Sequence, residues 1–250
     1  MQEIIQQLNQ LKLTGIRDAL TQQQVQANTY AELSFTERLQ LLLEHELTAR
    51  EQRRIERLTK QAKFRLRAEL VDINYKSSRN LTKSQVRTLS QDEWINHAHN
   101  LVITGATGCG KTYLACALGT EHCRQGKTVF YFRLKALLEQ MYLAQAEGSY
   151  RKLVTKLINA ELLIIDDWGL EPLSASQRSD LLELIDGRYD HHSTLIVSQL
   201  PVTSWYDMIG ESTHADAILD RLVHRSIKVE LQGESMRKMT KSLTDGDQEK

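Results

Sequence analysis

Apolar positions in the first 70 residues recur at helical spacing: Leu8, Leu11, Ile16 and Leu20, then Leu39, Leu42, Leu43 and Leu47. No proline interrupts this stretch, and its one glycine is Gly15. Ser34 followed three residues later by Glu37 has the form of a capping box opening the second run. The pattern predicts a small all-α N-terminal domain over 1–70, of three or so helices. From 71 to 93 the period weakens, and the polar YKSSRNLTKSQ reads as a linker. Over 94–236 short apolar runs alternate with helix-length segments: Leu101 to Thr104, Thr128 to Phe132, Leu162 to Ile165, Thr194 to Ser198 and Ile227 to Leu231. Such alternation predicts an α/β domain, a five-stranded parallel sheet between two helical layers. The charged residues 237–250 read as a flexible tail.

Composition narrows the class without naming a chemistry. Of the 250 residues, 41% are apolar and 26% charged, and the formal net charge is zero, so nucleic-acid binding would have to rest on a local patch. No segment approaches the roughly 18 apolar residues of a spanning helix, and MQEIIQQLNQLKLTG is amphipathic, unlike a signal peptide. A cytoplasmic protein without membrane contact is expected. Cys109, Cys116 and Cys123 lie seven apart with no histidine partner at metal-ligand spacing, so reduced thiols are expected. His97, His99, His191 and His192 lack acidic or cysteine partners in sequence and read as surface residues.

Chemistry appears at Gly105-Ala106-Thr107-Gly108-Cys109-Gly110-Lys111-Thr112, which fits G-x-x-x-x-G-K-[ST] in full. Glycines let backbone N–H groups turn inward around phosphate oxygens, and the loop opens a helix, continued by Tyr113, whose N-terminus favours an anion. Lys111 is expected on the β- and γ-phosphates of ATP, and the Thr112 hydroxyl on Mg²⁺. Four apolar residues, Leu162 to Ile165, then run into Asp166 and Asp167. Asp166 is expected to hold Mg²⁺, and Asp167 to orient or deprotonate the attacking water. Aspartate is one methylene shorter than glutamate, so its carboxylate reaches less far toward the water, which predicts slow hydrolysis.

Four blocks, GATGCGKTYLACALG, LLIIDDWG, TLIVSQLP and AILDRLVHRSIKVELQGES, together resemble the AAA+ transposition helper proteins of the IstB type, relatives of the DnaC helicase loaders. LSFTERLQLLLEHELTAREQRR is also similar to that group's helical domain, though less specifically. The resemblance implies an AAA+ core. It implies a polar sensor at Gln199, with Ser198 the second choice, and an arginine finger at Arg221, with Arg225 the fallback, reaching into a neighbouring subunit. With 25 residues after Arg225, no room is expected for a C-terminal helical lid carrying a second sensor arginine. The missing charge would come from a neighbour, coupling ATP binding to assembly. Trp168 is bulkier than expected after the acids, and packing is its expected role.

From Arg50 to Arg67 the chain is basic, and on a helix Arg50, Arg53, Arg54 and Arg57 share one face, with Lys60 beyond them. Ile55, Leu58, Ala62 and Leu66 back them on another. The stripe is a candidate for salt-dependent binding to duplex DNA, with a solvated helix face as the alternative. Lys135, Arg151 and Lys152 are further candidates by position. The resemblance implies an ATP-dependent homo-oligomer on double-stranded DNA that recruits a partner transposase. A helicase loader is the alternative, and a small-molecule kinase or a DNA-coating protein that never cleaves ATP stand further off. The ending Gly233-Glu234-Ser235 with Arg237 favours the transposition branch.

Overall fold

The computed structural model describes residues 1–75 and 79–233. The expected tail, and the ending beyond Gly233, lie outside the described residues. The chain divides into two compact units, Met1–Arg57 and Leu58–Lys250, so the division falls earlier than the expected boundary at 70.

In the first unit α1 (Gln2–Gln10), α2 (Thr14–Val25) and a 3₁₀ turn at Ala27–Tyr30 precede α3 (Phe35–Ala62), whose last residues belong to the second unit. The capping box at the start of α3 is present: Ser34 N donates to Glu37 Oε2 at 2.7 Å, and Glu37 N to Ser34 Oγ at 3.3 Å. Gly15 is required for close approach, since a Cβ there would lie 2.7 Å from Glu46 Cα. The buried Glu46 carboxylate accepts Gly15 N at 2.7 Å and Ile16 N at 3.1 Å, pairing amides that the first turn of α2 leaves without helical partners. The helical spacing of Leu39, Leu42, Leu43 and Leu47 is borne out by α3, yet Leu39, Leu43 and Leu47 are exposed. Arg38 and Glu46 meet α2, through Gln23 and through Gly15 with Ile16, and the three leucines lie one residue, about 100°, further round α3.

In the second unit the described residues of the stretch expected to be a linker, 71–75 and 79–93, are structured and packed. A 3₁₀ turn at Leu70–Asp72 leads to α4 (Lys83–Ser90), capped by a Thr82–Gln85 box, and α5 (Glu93–Asn96). Ile73, Leu81, Val86 and Leu89 are buried with Trp94 and Ile95. Their apolar side chains are too widely spaced among polar ones to show a period.

The α/β expectation holds. After α5 come β1 (Asn100–Gly105), α6 (Lys111–Arg124), β2 (Val129–Arg133), α7 (Leu134–Ala146), α8 (Tyr150–Ile158) and β3 (Leu162–Trp168). Then follow α9 (Ala175–Arg188), β4 (Ser193–Ser198), α10 (Trp205–Ile209), α11 (Ser212–Val223) and β5 (Ser226–Leu231). The five strands pair in parallel in the order β2-β3-β4-β1-β5. Alternate residues enter opposite cores: Leu101, Ile103, Leu162, Ile164, Leu195 and Val197 pack with α6, and Val102, Leu163, Ile165 and Ile196 with α7, α9 and α11. Burial on both faces is why the cores of β1 to β4 read as unbroken apolar runs, whereas the edge strand β5 leaves Lys228 and Glu230 exposed. Trp168 is buried against Trp205, ring centroids 5.4 Å apart, as its packing role required. No helical lid follows β5 among the described residues. No helix among them is long and apolar enough to cross a membrane.

Candidate nucleotide site

Because β1 lies beside β4 and β4 beside β3, the carboxyl ends of these three strands adjoin, the place where open α/β sheets bind ligands. They bring three distant segments to one cleft of about 330 Å³, lined by Thr107, Lys111, Thr112, Asp166, Asp167 and Gln199 among others.

Gly105, Gly108 and Gly110 take φ of 144°, 84° and 93°, a region closed to most side chains. A Cβ on Gly105 would stand 2.1 Å from Leu231 O of the adjoining strand. Arg79 buttresses the loop from behind, donating from Nη2 to Cys109 O at 2.7 Å and from Nη1 to Asn74 O at 2.6 Å. The Lys111 ammonium donates to Gly105 O at 2.7 Å and Ala106 O at 2.8 Å, so it stands inside the curl of the loop. Cys109 is a buried small residue of the turn. The Tyr113 hydroxyl accepts from Glu69 N at 3.3 Å, tying α6 to the segment that follows α3.

Asp166 is buried, and its Oδ2 accepts from Thr112 Oγ1 at 2.8 Å and from the Tyr131 hydroxyl at 2.6 Å. Burial, then the hydrogen bond to Asp166, pushes the Tyr131 phenol well above its ordinary pKa, so it stays a donor. A carboxylate and a hydroxyl meeting at the start of the phosphate helix form the hard oxygen set that Mg²⁺ prefers, so the residues fit the ion. Thr112 and Asp166 would hold it, and the loop amides and Lys111 would hold the phosphates of ATP. An ion held there would supply positive charge against the phosphates.

Asp167 has a left-handed backbone, φ 57°, and its N–H donates to Asp166 Oδ1 at 2.7 Å. Its own carboxylate turns into the cleft and pairs with Arg65, Nη1 to Oδ2 3.4 Å. Of the two sensor candidates, Ser198 is fully buried and its hydroxyl is engaged, donating to Trp168 O at 2.9 Å and accepting from Leu200 N at 3.0 Å. Gln199 faces the phosphate loop, its Oε1 accepting from Thr107 Oγ1 at 2.5 Å.

Arg221 and Arg225 stand apart from this cleft. Asn100, the first residue of β1, donates to Arg221 O at 2.8 Å and pairs in register with Ser226, which places both arginines at the amino ends of the strands. Arg221 Nε binds Asp186 at 2.6 Å, and Arg225 Nη1 binds Asp190 at 2.7 Å. The basic stripe is partly neutralised as well: Arg50 and Arg53 both pair with Glu46, at 2.8 and 3.4 Å, and Arg54 with Glu51 at 3.8 Å. Lys135 pairs with Glu171 at 3.0 Å, while Arg57, Lys60, Arg151 and Lys152 are exposed. Leu66, expected on the apolar face of the basic helix, lies past the end of α3 and lines the cleft.

Cys116 and Cys123 are buried free thiols, pushed by that burial up to about 11 and about 12, and Cys109 is buried and free too. No cluster of three or more potential metal-ligating side chains occurs among the described residues. Sequence reasoning missed Arg65, Arg79 and Tyr131 as parts of the site. Each reaches it by folding alone, and no linear spacing marks them.

Comparison with known proteins agrees with this geometry. The family described as IstB-like ATP binding protein matches residues 6–244. An insertion sequence ATP-binding protein of Sinorhizobium fredii is 42% identical over 234 residues, covering 94% of this chain and 95% of its own. The IS1162 ATP-binding protein of Pseudomonas fluorescens is 44% identical, covering 80% and 87%. Among solved structures, the DnaC helicase loader superposes with a TM-score of 0.56 at 21% identity, covering 65% of this chain and 95% of its own. DnaA from Aquifex aeolicus, bound to AMPPCP, gives 0.59 at 16%, covering 75% and 58%. The fold is thus the α/β P-loop AAA+ core, and with a family match across nearly its whole length the chain belongs to the IstB-like ATP-binding proteins.

Proposed function

We propose that this chain is a Mg²⁺-dependent ATPase that assembles with copies of itself on duplex DNA and recruits or activates a partner transposase. Hydrolysis of the β–γ phosphoanhydride acts as the release switch. The observation that carries the reading is the meeting of Thr112 and Asp166 at 2.8 Å, with Gln199 on Thr107 at 2.5 Å: a phosphate loop, a metal-holding acid and a polar probe from three strand ends. Relatives named for insertion sequences supply the transposition context. Arg221 serves as the finger offered to a neighbour, since in its own chain it stands at the opposite end of the sheet from the phosphates. Arg57, Lys60, Arg151 and Lys152 supply the exposed positive charge for a DNA backbone.

The test is phosphate release with and without duplex DNA, alongside electron microscopy of the protein on that DNA in ATP and in ADP. Filaments or rings formed with ATP and lost with ADP support the reading. No nucleotide-dependent assembly would sink it, and retention of a hexameric helicase rather than a transposase would move it to helicase loading.

A further inference from the structure

The segment after α3 is fastened along the phosphate helix α6. A Cβ on Gly119 would strike the Phe64 ring at 2.6 Å, and Glu69 binds both the Tyr113 hydroxyl and Arg124, the latter at 2.5 Å. Lys63, with φ of 55°, turns the chain out of the helix. Between these anchors Arg65 is carried into the nucleotide cleft, where it lies on Asp167.

Charge makes that placement informative. The cleft is lined by two cations, Arg65 and Lys111, and two acids, Asp166 and Asp167. Lys111 is held within the loop, and Asp166 is committed to Thr112 and Tyr131. The pair of Arg65 with Asp167 is long, at 3.4 Å, and its side chains are 39% and 25% exposed, so it is weakly held and easily exchanged. A guanidinium is the donor best matched to phosphate oxygens, which it can grip with two parallel N–H groups.

Resting on the ATP-binding reading above, we propose that Arg65 is a phosphate-contacting residue that exchanges Asp167 for the terminal phosphate of ATP. Part of the positive charge that a lidless core was expected to draw from a neighbour is thereby met from within the chain. The exchange also frees Asp167 for water when a triphosphate is bound, and the binding readout below is independent of turnover.

The test compares affinities of a fluorescent ATPγS and a fluorescent ADP, with Mg²⁺, for the full chain and for Arg65→Ala, Arg65→Lys and Asp167→Asn. Arg65→Ala is expected to cut the preference for the triphosphate by about tenfold, the size of one lost charge-assisted hydrogen bond, with ADP binding and melting temperature kept. Arg65→Lys should restore part of it. The same loss should appear when Arg65→Ala is added to Asp167→Asn. An unchanged preference in Arg65→Ala would overturn the proposal, as would a loss that vanishes in the Asp167→Asn background, where Arg65 would act only through that acid. A parent chain that binds neither nucleotide would overturn the ATP-binding reading as well.

Discussion

Single side chains carry two kinds of work here. Lys111 stands inside its loop, its ammonium donating to the carbonyls of Gly105 and Ala106. Lys111→Ala is expected to weaken nucleotide binding by about a hundredfold or more, the loss of two charge-assisted bonds, in a titration with a fluorescent ATP analogue. Arg188 works for the scaffold. It is fully buried, burial lowers its pKa to about 9, and it donates to the carbonyls of Leu157, Ile158, Ala160 and Ser193 and to the Thr194 hydroxyl. These bonds tie the end of α8 to the start of β4. Arg188→Met fills the volume but strands several acceptors, so urea unfolding should show a loss of about 3 kcal/mol or more.

At the scale of elements, α2 and α3 are joined by a buried carboxylate more than by an apolar seam. Burial alone would raise the pKa of Glu46, but Arg50 and the amides of Ile16 and Gly15 outweigh it and hold the carboxyl below the ordinary range. A depressed folded-state pKa contributes stability that is present above the unfolded value, roughly 4.3, and is lost as pH falls through the folded value. Hydrogen-exchange protection at Gly15 and Ile16 is therefore expected to drop below about pH 4, and Glu46→Gln should remove that dependence. Gly15→Ala should loosen the same junction at every pH, because its methyl group would meet the backbone of Glu46. The central strands follow the opposite logic: β1 and β4 pair through apolar positions buried on both faces, from Leu101 with Leu195 to Ile103 with Val197.

Across the whole molecule, the phosphate cleft and the arginines Arg221 and Arg225 lie at opposite ends of one sheet. A residue so placed can complete a phosphate site only in another molecule. Arg221→Ala is expected to spare nucleotide binding by the monomer while abolishing ATP-dependent multimers and hydrolysis, measured by analytical ultracentrifugation and phosphate release. Multimers that persist in this variant would refute the finger role. Asp186 and Asp190, which hold the two arginines within the chain, are the acids a neighbour's phosphates would have to displace.

What the linear chain determined follows from periodicity and local motif. Strands β1 to β4 bury apolar residues on both faces, and the edge strand β5 alternates buried Val229 and Leu231 with exposed Lys228 and Glu230, so both patterns are legible; a phosphate loop is contiguous, so Gly105 to Thr112 can be read as a word. The Ser34–Glu37 cap was legible for the same reason, being complete within four residues. Only the tertiary structure decided what depends on contact between distant segments. The packing of Leu81, Val86 and Leu89 hid behind widely spaced apolar residues, and the helical spacing of Leu39, Leu43 and Leu47 does not reveal that α2 docks one residue away from them. Arg65, Arg79 and Tyr131 enter the site only because a strap, a buttress and a neighbouring strand carry them there. Electrostatic and hydrogen-bond partners are chosen by proximity in space, and that is a property of the folded chain.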